Sequence, residues 1–221
     1  MIRDMLRLYF IMGSTNTQER DPLEVLEKAL QGGVTCFQLR EKGTKSLKKH
    51  EKYLFAEKCQ RLCNSYDVPF IVNDDVALAL ALDADGVHIG QEDESATIVR
   101  KQIGPQKILG VSVHNLEEAF LAKEAGANYI GMGPVYATSS KKDAKAPAGT
   151  RMIKQVAATC PDLPIVGIGG ITEENVGPVL ESGAAGVALI SAIASSQNPF
   201  EHAKRLRKTI EEAFEKEEDQ S

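Results

Sequence analysis

Residues 165–172, Ile165-Val166-Gly167-Ile168-Gly169-Gly170-Ile171-Thr172, set the reading of the whole chain. The run 165–168 is apolar throughout, as a strand must be when a parallel sheet is covered on both faces. The Gly-Gly pair then allows a tight turn, and a helical pattern follows at 173–181. Apolar run, polar junction and helix recur on both sides of this stretch. Phe70-Ile71-Val72 ends in Asn73-Asp74-Asp75, and the run 186–190 ends in Ser191.

Working outward, strand-like runs fall at 6–12, 35–40, 69–73, 86–89, 108–113, 129–133, 165–168 and 186–190. Helical patterns fall between them at 22–31, 46–66, 75–82, 95–103, 116–124, 148–158, 173–181 and 200–215. Eight strands alternating with eight helices predict an α/β chain, a single (β/α)8 TIM barrel. A doubly wound open sheet is the alternative, but no Gly-x-Gly-x-x-Gly turn follows the first strand. A short repeat supports closure. Gln31-Gly32-Gly33, Glu124-Ala125-Gly126 and Glu181-Ser182-Gly183 each place glycine where a left-handed residue ends a helix, and Leu82-Asp83-Ala84-Asp85-Gly86 is a less regular version.

The 221 residues suit one domain, 1–221, with an acidic end at 215–221 expected to be a disordered tail. A net charge of −5 argues against general affinity for nucleic acid or an anionic membrane, so an anionic ligand must meet local positive charge. The four cysteines (Cys36, Cys59, Cys63, Cys160) show neither zinc spacing nor disulfide-scaffold density and read as reduced, buried thiols. The N-terminal apolar run is too short for a secretion signal and no stretch approaches bilayer-spanning length, so a cytoplasmic location is expected.

In a closed parallel barrel the C-terminal ends of all strands meet on one face, so scattered junctions become one pocket. Gln38, Arg40 and Lys42 alternate along strand 2 and point to one side. An amide, a guanidinium and an ammonium suit a polyphosphate. Asp74 and Asp93 come from adjacent loops and offer the one or two carboxylates that magnesium takes beside substrate phosphates. Asp75 and Glu94 read instead as helix N-terminal acids. Gly169-Gly170, Ile190-Ser191 and a short helix after strand 8 make a phosphomonoester site from backbone amides. Thr138-Ser139-Ser140-Lys141-Lys142 adds hydroxyls and a lysine. His50 and His202 read as surface residues, while His88 and His114 lie near strand ends.

Taken in order, Gln38-x-Arg40-x-Lys42, Val72-Asn73-Asp74-Asp75, His88-Ile89-Gly90-Gln91-Glu92-Asp93, Gly110-Val111-Ser112, Gly133-Pro134-Val135-Tyr136-x-Thr138-x-Ser140-Lys141, Gly167-Ile168-Gly169-Gly170-Ile171 and Ile190-Ser191 resemble the thiamine-phosphate synthase family. The resemblance implies magnesium-dependent condensation of a pyrimidine diphosphate with a thiazole phosphate, releasing pyrophosphate. It implies that Gln38, Arg40, Lys42, Asn73, Ser112 and Lys141 hold the diphosphate, with Arg40, Lys42 and Lys141 catalytic and Asp74 and Asp93 on Mg2+. Thr138, Ser140, Gly170, Ile190 and Ser191 would hold the thiazole phosphate. Ser140 stands where the family commonly has threonine, which keeps the hydroxyl donor. A homo-oligomer is compatible with this reading.

Two other readings share the fold. A thiazole tautomerase of this type places a histidine after the strand 6 glycine, where this chain has Pro134. A non-catalytic thiamine-phosphate-binding regulator would not need two metal carboxylates.

Overall fold

The last strand returns to the first. Leu8 lies beside Val187 and Phe10 beside Leu189, which closes an all-parallel barrel of eight strands paired in chain order. This computed structural model describes residues 2–138, 140 and 146–218. The strands are β1 (Leu8–Met12), β2 (Cys36–Leu39), β3 (Phe70–Asn73), β4 (Gly86–Ile89), β5 (Ile108–Val113), β6 (Tyr129–Met132), β7 (Ile165–Ile168) and β8 (Gly186–Leu189). The helices are α1 (Ile2–Met5), α2 (Pro22–Gln31), α3 (Lys49–Ser65), α4 (Val76–Ala81), α5 (Ala96–Ile103), α6 (Leu116–Glu124), α7 (Arg151–Thr159), α8 (Gly177–Leu180), α9 (Ser191–Ala194) and α10 (Pro199–Glu218).

Alternation along the strands divides the core in two. Residues such as Phe10, Phe37, Leu39, Phe70 and Val72 face outward and pack under the helices. Tyr9, Ile11, Cys36, Ile71, Tyr129 and Val166 face inward and fill the barrel. The two tyrosines need room that only a missing side chain supplies: a Cβ on Gly110 would collide with the Tyr129 ring and the His88 imidazole. All four cysteines are free and buried, as expected.

Local chemistry explains the element ends. Gly33, Gly126 and Gly183 all have positive φ, and in the fourth repeat Asp83 takes that conformation itself at φ 50°. Helix α8 is much shorter than the pattern at 173–181 suggests. Asn175 is instead spent on the preceding turn, its Oδ1 accepting from Thr172 N (2.8 Å) and its Nδ2 donating to Gly170 O (3.0 Å), and the helix begins only at Gly177 with Pro178 behind it. Helix α3 starts at Lys49 rather than 46, because the Ser46 hydroxyl closes a loop turn onto Gly43 O (2.7 Å).

Two features were not expected. Helix α1 lies under the barrel, where Met5 and the adjoining Leu6 complete the inner cluster. The acidic end is helical through Glu218, as the end of α10, whose preceding turns carry i,i+4 pairs such as Arg207–Glu211 (2.5 Å). Residues 219–221 lie outside the described residues. No helix among the described residues is long and apolar enough to cross a membrane.

Candidate active site

Arg40, Lys42, Asn73, Asp74, Asp93, Ser112, Thr138, Ser140, Gly170, Ile190 and Ser191 line one cavity of about 260 Å³ at the C-terminal ends of the strands. They come from the ends of seven different strands, and barrel closure alone brings them together. Gln38 is placed differently. It is 1% exposed, lies below the cavity floor, and donates through Nε2 to the Tyr9 hydroxyl (2.9 Å). Lys141, Lys142 and Ser139 lie outside the described residues.

On one wall, Lys42 is ion-paired with Asp74, and Asp74 shares a hydrogen bond with Asp93. Burial pushes the Asp74 carboxyl above its ordinary range, and the neighbouring Asp93 adds to the shift against the opposing pull of Lys42. Burial also resists ionisation of Asp93, but the hydrogen bond with Asp74, the Gly90 N–H (2.7 Å) and Lys42 together hold it below the usual range. The two neighbouring carboxyls are thus pushed in opposite directions, Asp74 towards its protonated form and Asp93 towards its ionised one. Asp74 sits at φ 62°, an unfavourable conformation for a side chain other than glycine that aims its carboxyl at the β4 loop.

Of the adjacent acids, Asp75 caps a helix as expected, whereas Glu94 lies ahead of Ser95, the N-cap of α5, whose first turn holds no acid. Asp75 Oδ1 accepts from Leu78 N (3.0 Å) at the start of α4, and its Oδ2 receives the Lys52 ammonium (2.6 Å). Glu94 accepts from Gln102 Nε2 (2.9 Å) on the outside.

The opposite wall is built from main chain. Gly169 and Gly170 have φ of 103° and 63°, and a Cβ on Gly170 would strike the Ala137 carbonyl and Tyr136. The turn therefore requires glycine twice over, by conformation and by space. Asn175 braces it from behind, and Tyr136 Oη donates to Asn175 O (3.0 Å). Ser140 Oγ donates to Ser191 Oγ (2.9 Å), so the β6 loop and the start of α9 meet at the cavity edge.

A buried polar chain that the sequence reading did not assemble crosses the barrel under this cavity. Tyr9 and Tyr129 hydroxyls are 2.7 Å apart, Tyr129 Oη is 3.0 Å from His88 Nδ1, and His88 Nε2 is 2.9 Å from Ser112 Oγ. Inward alternation on β1, β4 and β6 was the available signal, because an inward polar residue in a barrel must find an inward partner. His114 also lines the cavity, with Nδ1 2.9 Å from Glu118 Oε2. His50 is exposed as expected, whereas His202 is half-buried because α10 packs over α8 and α9, leaving its Nε2 buried without a hydrogen bond among the described residues.

A parallel barrel with charged and glycine-rich loops converging on one rim cavity defines a barrel enzyme that works on a small molecule. The sequence model of the family described as thiamine monophosphate synthase matches residues 8–193. The chain is 53% identical over 210 residues to the thiamine-phosphate synthase of Bacillus velezensis, covering 95% of this chain and 93% of that one. It is 54% identical over 212 residues to the thiamine-phosphate synthase of Geobacillus kaustophilus, covering 96% and 95%. The solved structure of thiamine phosphate pyrophosphorylase from Pyrococcus furiosus is similar at a TM-score of 0.86 and 36% identity, covering 96% of this chain and 99% of that one. The chain belongs to the thiamine monophosphate synthase family: it is a transferase of thiamine biosynthesis with thiamine-phosphate synthase activity.

Proposed function

We propose that the two walls of the cavity bind the two reactants separately, a pyrimidine diphosphate on the β2–β5 side and a thiazole phosphate on the β6–β8 side. The observation that carries this reading is their juxtaposition: Arg40, Lys42, Asp74 and Asp93 face Gly170, Ile190 and Ser191 across one cavity. Arg40 and Lys42 receive the diphosphate, with Asn73 and Ser112 beside the ring. Gln38 orients the floor beneath them, and the sequence resemblance alone adds Lys141. Thr138, Ser140, Gly170, Ile190 and Ser191 receive the phosphomonoester through hydroxyls and backbone amides.

The acidic pair fits a magnesium ion. Asp74 Oδ2 is buried and ion-paired to Lys42 yet takes no hydrogen bond of proper geometry, which leaves a lone pair for a cation. Two carboxylates are as many as magnesium usually takes, with water and substrate oxygens completing its shell. Magnesium, when bound through Asp74 and Asp93, supplies positive charge to the diphosphate.

Arg40 and Lys42 stabilise the negative charge that grows on pyrophosphate as the C–O bond breaks. The aminopyrimidine delocalises the positive charge left on its methylene carbon. The neutral thiazole nitrogen, held in line by the opposite wall, attacks that carbon without having a proton to lose. The residues therefore need to bind, align and neutralise; no general base is required. The enzyme works in the cytoplasm as one barrel domain. Mixing the two phosphorylated precursors with and without magnesium tests the reading: thiamine phosphate and pyrophosphate should appear together and need the metal. Pyrophosphate release without coupling, or coupling that ignores magnesium, defeats it.

A further inference from the structure

The loop after β1, residues 13–21, supplies no residue to the cavity lining. It nevertheless touches the supports of both walls. At its near end it meets Glu41, the residue between the two diphosphate-binding cations. Glu41 is 9% exposed and points away from the cavity, opposite in alternation to Arg40 and Lys42. A buried carboxylate requires hydrogen bonds on both oxygens, and Glu41 has them. Its Oε2 accepts from Ser14 N (2.8 Å), and its Oε1 accepts from Ser14 Oγ (2.6 Å) and Leu47 N (2.8 Å). Arg40 N also donates to Met12 O (2.9 Å). The backbone carrying Arg40 and Lys42 is thus pinned to the β1 loop.

At its far end the loop holds α9, the short helix that begins at Ser191. Arg20 Nη1 donates to Ser196 O (2.5 Å) and Nη2 to Ala194 O (2.6 Å). A guanidinium there satisfies carbonyls left unpaired at a helix end and complements their partial negative charge. Between the two anchors the loop is internally bonded. Gly13 N donates to Asn16 Oδ1 (2.7 Å), and the fully buried Thr17 donates its hydroxyl to Arg20 O (2.9 Å). It is built as a stiff strut.

We infer that the β1 loop is a strap that sets the spacing of the two substrate half-sites, with Glu41 and Arg20 as positioning residues at its two buckles. The inference rests on the assignment of the two walls given above. A misplacement of about one ångström between reactants can cost about 10²-fold in rate.

The test is steady-state kinetics on the full chain. Glu41→Gln should raise KM for the pyrimidine diphosphate, and Arg20→Met should raise KM for the thiazole phosphate, each by about tenfold, the worth of a lost charged hydrogen bond. Each should also lower kcat by about tenfold, because the reactants are no longer held at one separation. The signature is in the double variant: a strap cut at both ends is no looser than one cut at either, so its kcat should match the lower single variant. Arg20→Lys, which keeps one of the two bonds, should recover part of the thiazole phosphate KM. Ser14→Ala is a lighter cut at the Glu41 end and should show the same pattern at smaller amplitude if Glu41→Gln folds poorly.

Kcat losses that multiply in the double variant overturn the strap, as do single variants that lose melting temperature while keeping both KM values. Ser191→Ala separates the two layers of argument. If it raises the thiazole phosphate KM while Arg20→Met does not, the strap falls and the half-site stands; if it leaves that KM unchanged, the half-site assignment itself falls.

Discussion

On the β2–β4 side of the cavity the lining includes the charged side chains Arg40, Lys42, Asp74 and Asp93. On the β6–β8 side it presents hydroxyls and main chain at Ser140, Gly169, Gly170 and Ser191. In the proposed reading the first wall recognises its ligand through charges that the sequence spells out. The second does so through the absence of side chains, held in shape by Asn175 and Tyr136 behind it. One wall is therefore broken by removing atoms and the other by adding them.

The largest effect should come from removing charge. Asp93→Ala leaves Asp74 without its partner and the proposed metal without a ligand, and loss of turnover by about 10²–10³ is expected, the usual cost of deleting one preorganised group at a charge-forming step. Pyrophosphate release measured against magnesium concentration checks it, and unchanged activity removes the metal assignment. Adding one carbon on the other wall comes next. Gly170→Ala places a Cβ against the Ala137 carbonyl at φ 63°. Strain of about 1–3 kcal/mol should appear chiefly as a raised KM for the thiazole phosphate, with the pyrimidine diphosphate KM nearly unchanged. A rise in both would show that the walls are not separate.

A subtler test uses protons. Burial and Asp93 raise the Asp74 carboxyl above the ordinary carboxylate range, so below that raised pKa a cation must displace a proton to bind. Apparent magnesium affinity should fall as pH drops through the raised Asp74 pKa and level off above it, measured by magnesium titration at several pH values. A flat profile would mean that the Asp74 carboxyl is not raised. The smallest effect should be on stability alone. Asp75→Ala removes the α4 cap and the Lys52 pair, and a loss of about 1 kcal/mol in denaturant unfolding is expected with the kinetic constants nearly unchanged. A large kinetic effect would bring Asp75 into the charged wall.

The contrast also explains which parts of the site were legible in the chain. Arg40 and Lys42 stand at i and i+2, and alternation alone put them on one face. Asp75 announced itself as a cap by its place before the apolar helix of residues 76–81. The glycines at 33, 126 and 183 marked helix ends because few other residues accept a positive φ. What did not show was any relation reaching across the barrel. Gln38 carries a ligand-like residue type in a ligand-like motif, yet the barrel's depth places it one layer down, against Tyr9. Nothing near His88 in sequence says that it meets Tyr129 and Ser112, which lie on different strands.

The sequence by itself determined the barrel, the order of its strands and the chemical character of each rim loop, because period, turn residues and charge act over a few neighbouring positions. The tertiary structure alone decided which carboxyls shift and in which direction, which groups lie above or below the cavity floor, and that the β1 loop spans both walls. Those outcomes depend on strand stagger and barrel closure, which bring Ser14 to Glu41 and Arg20 to Ala194 across separations in the chain that no local pattern encodes.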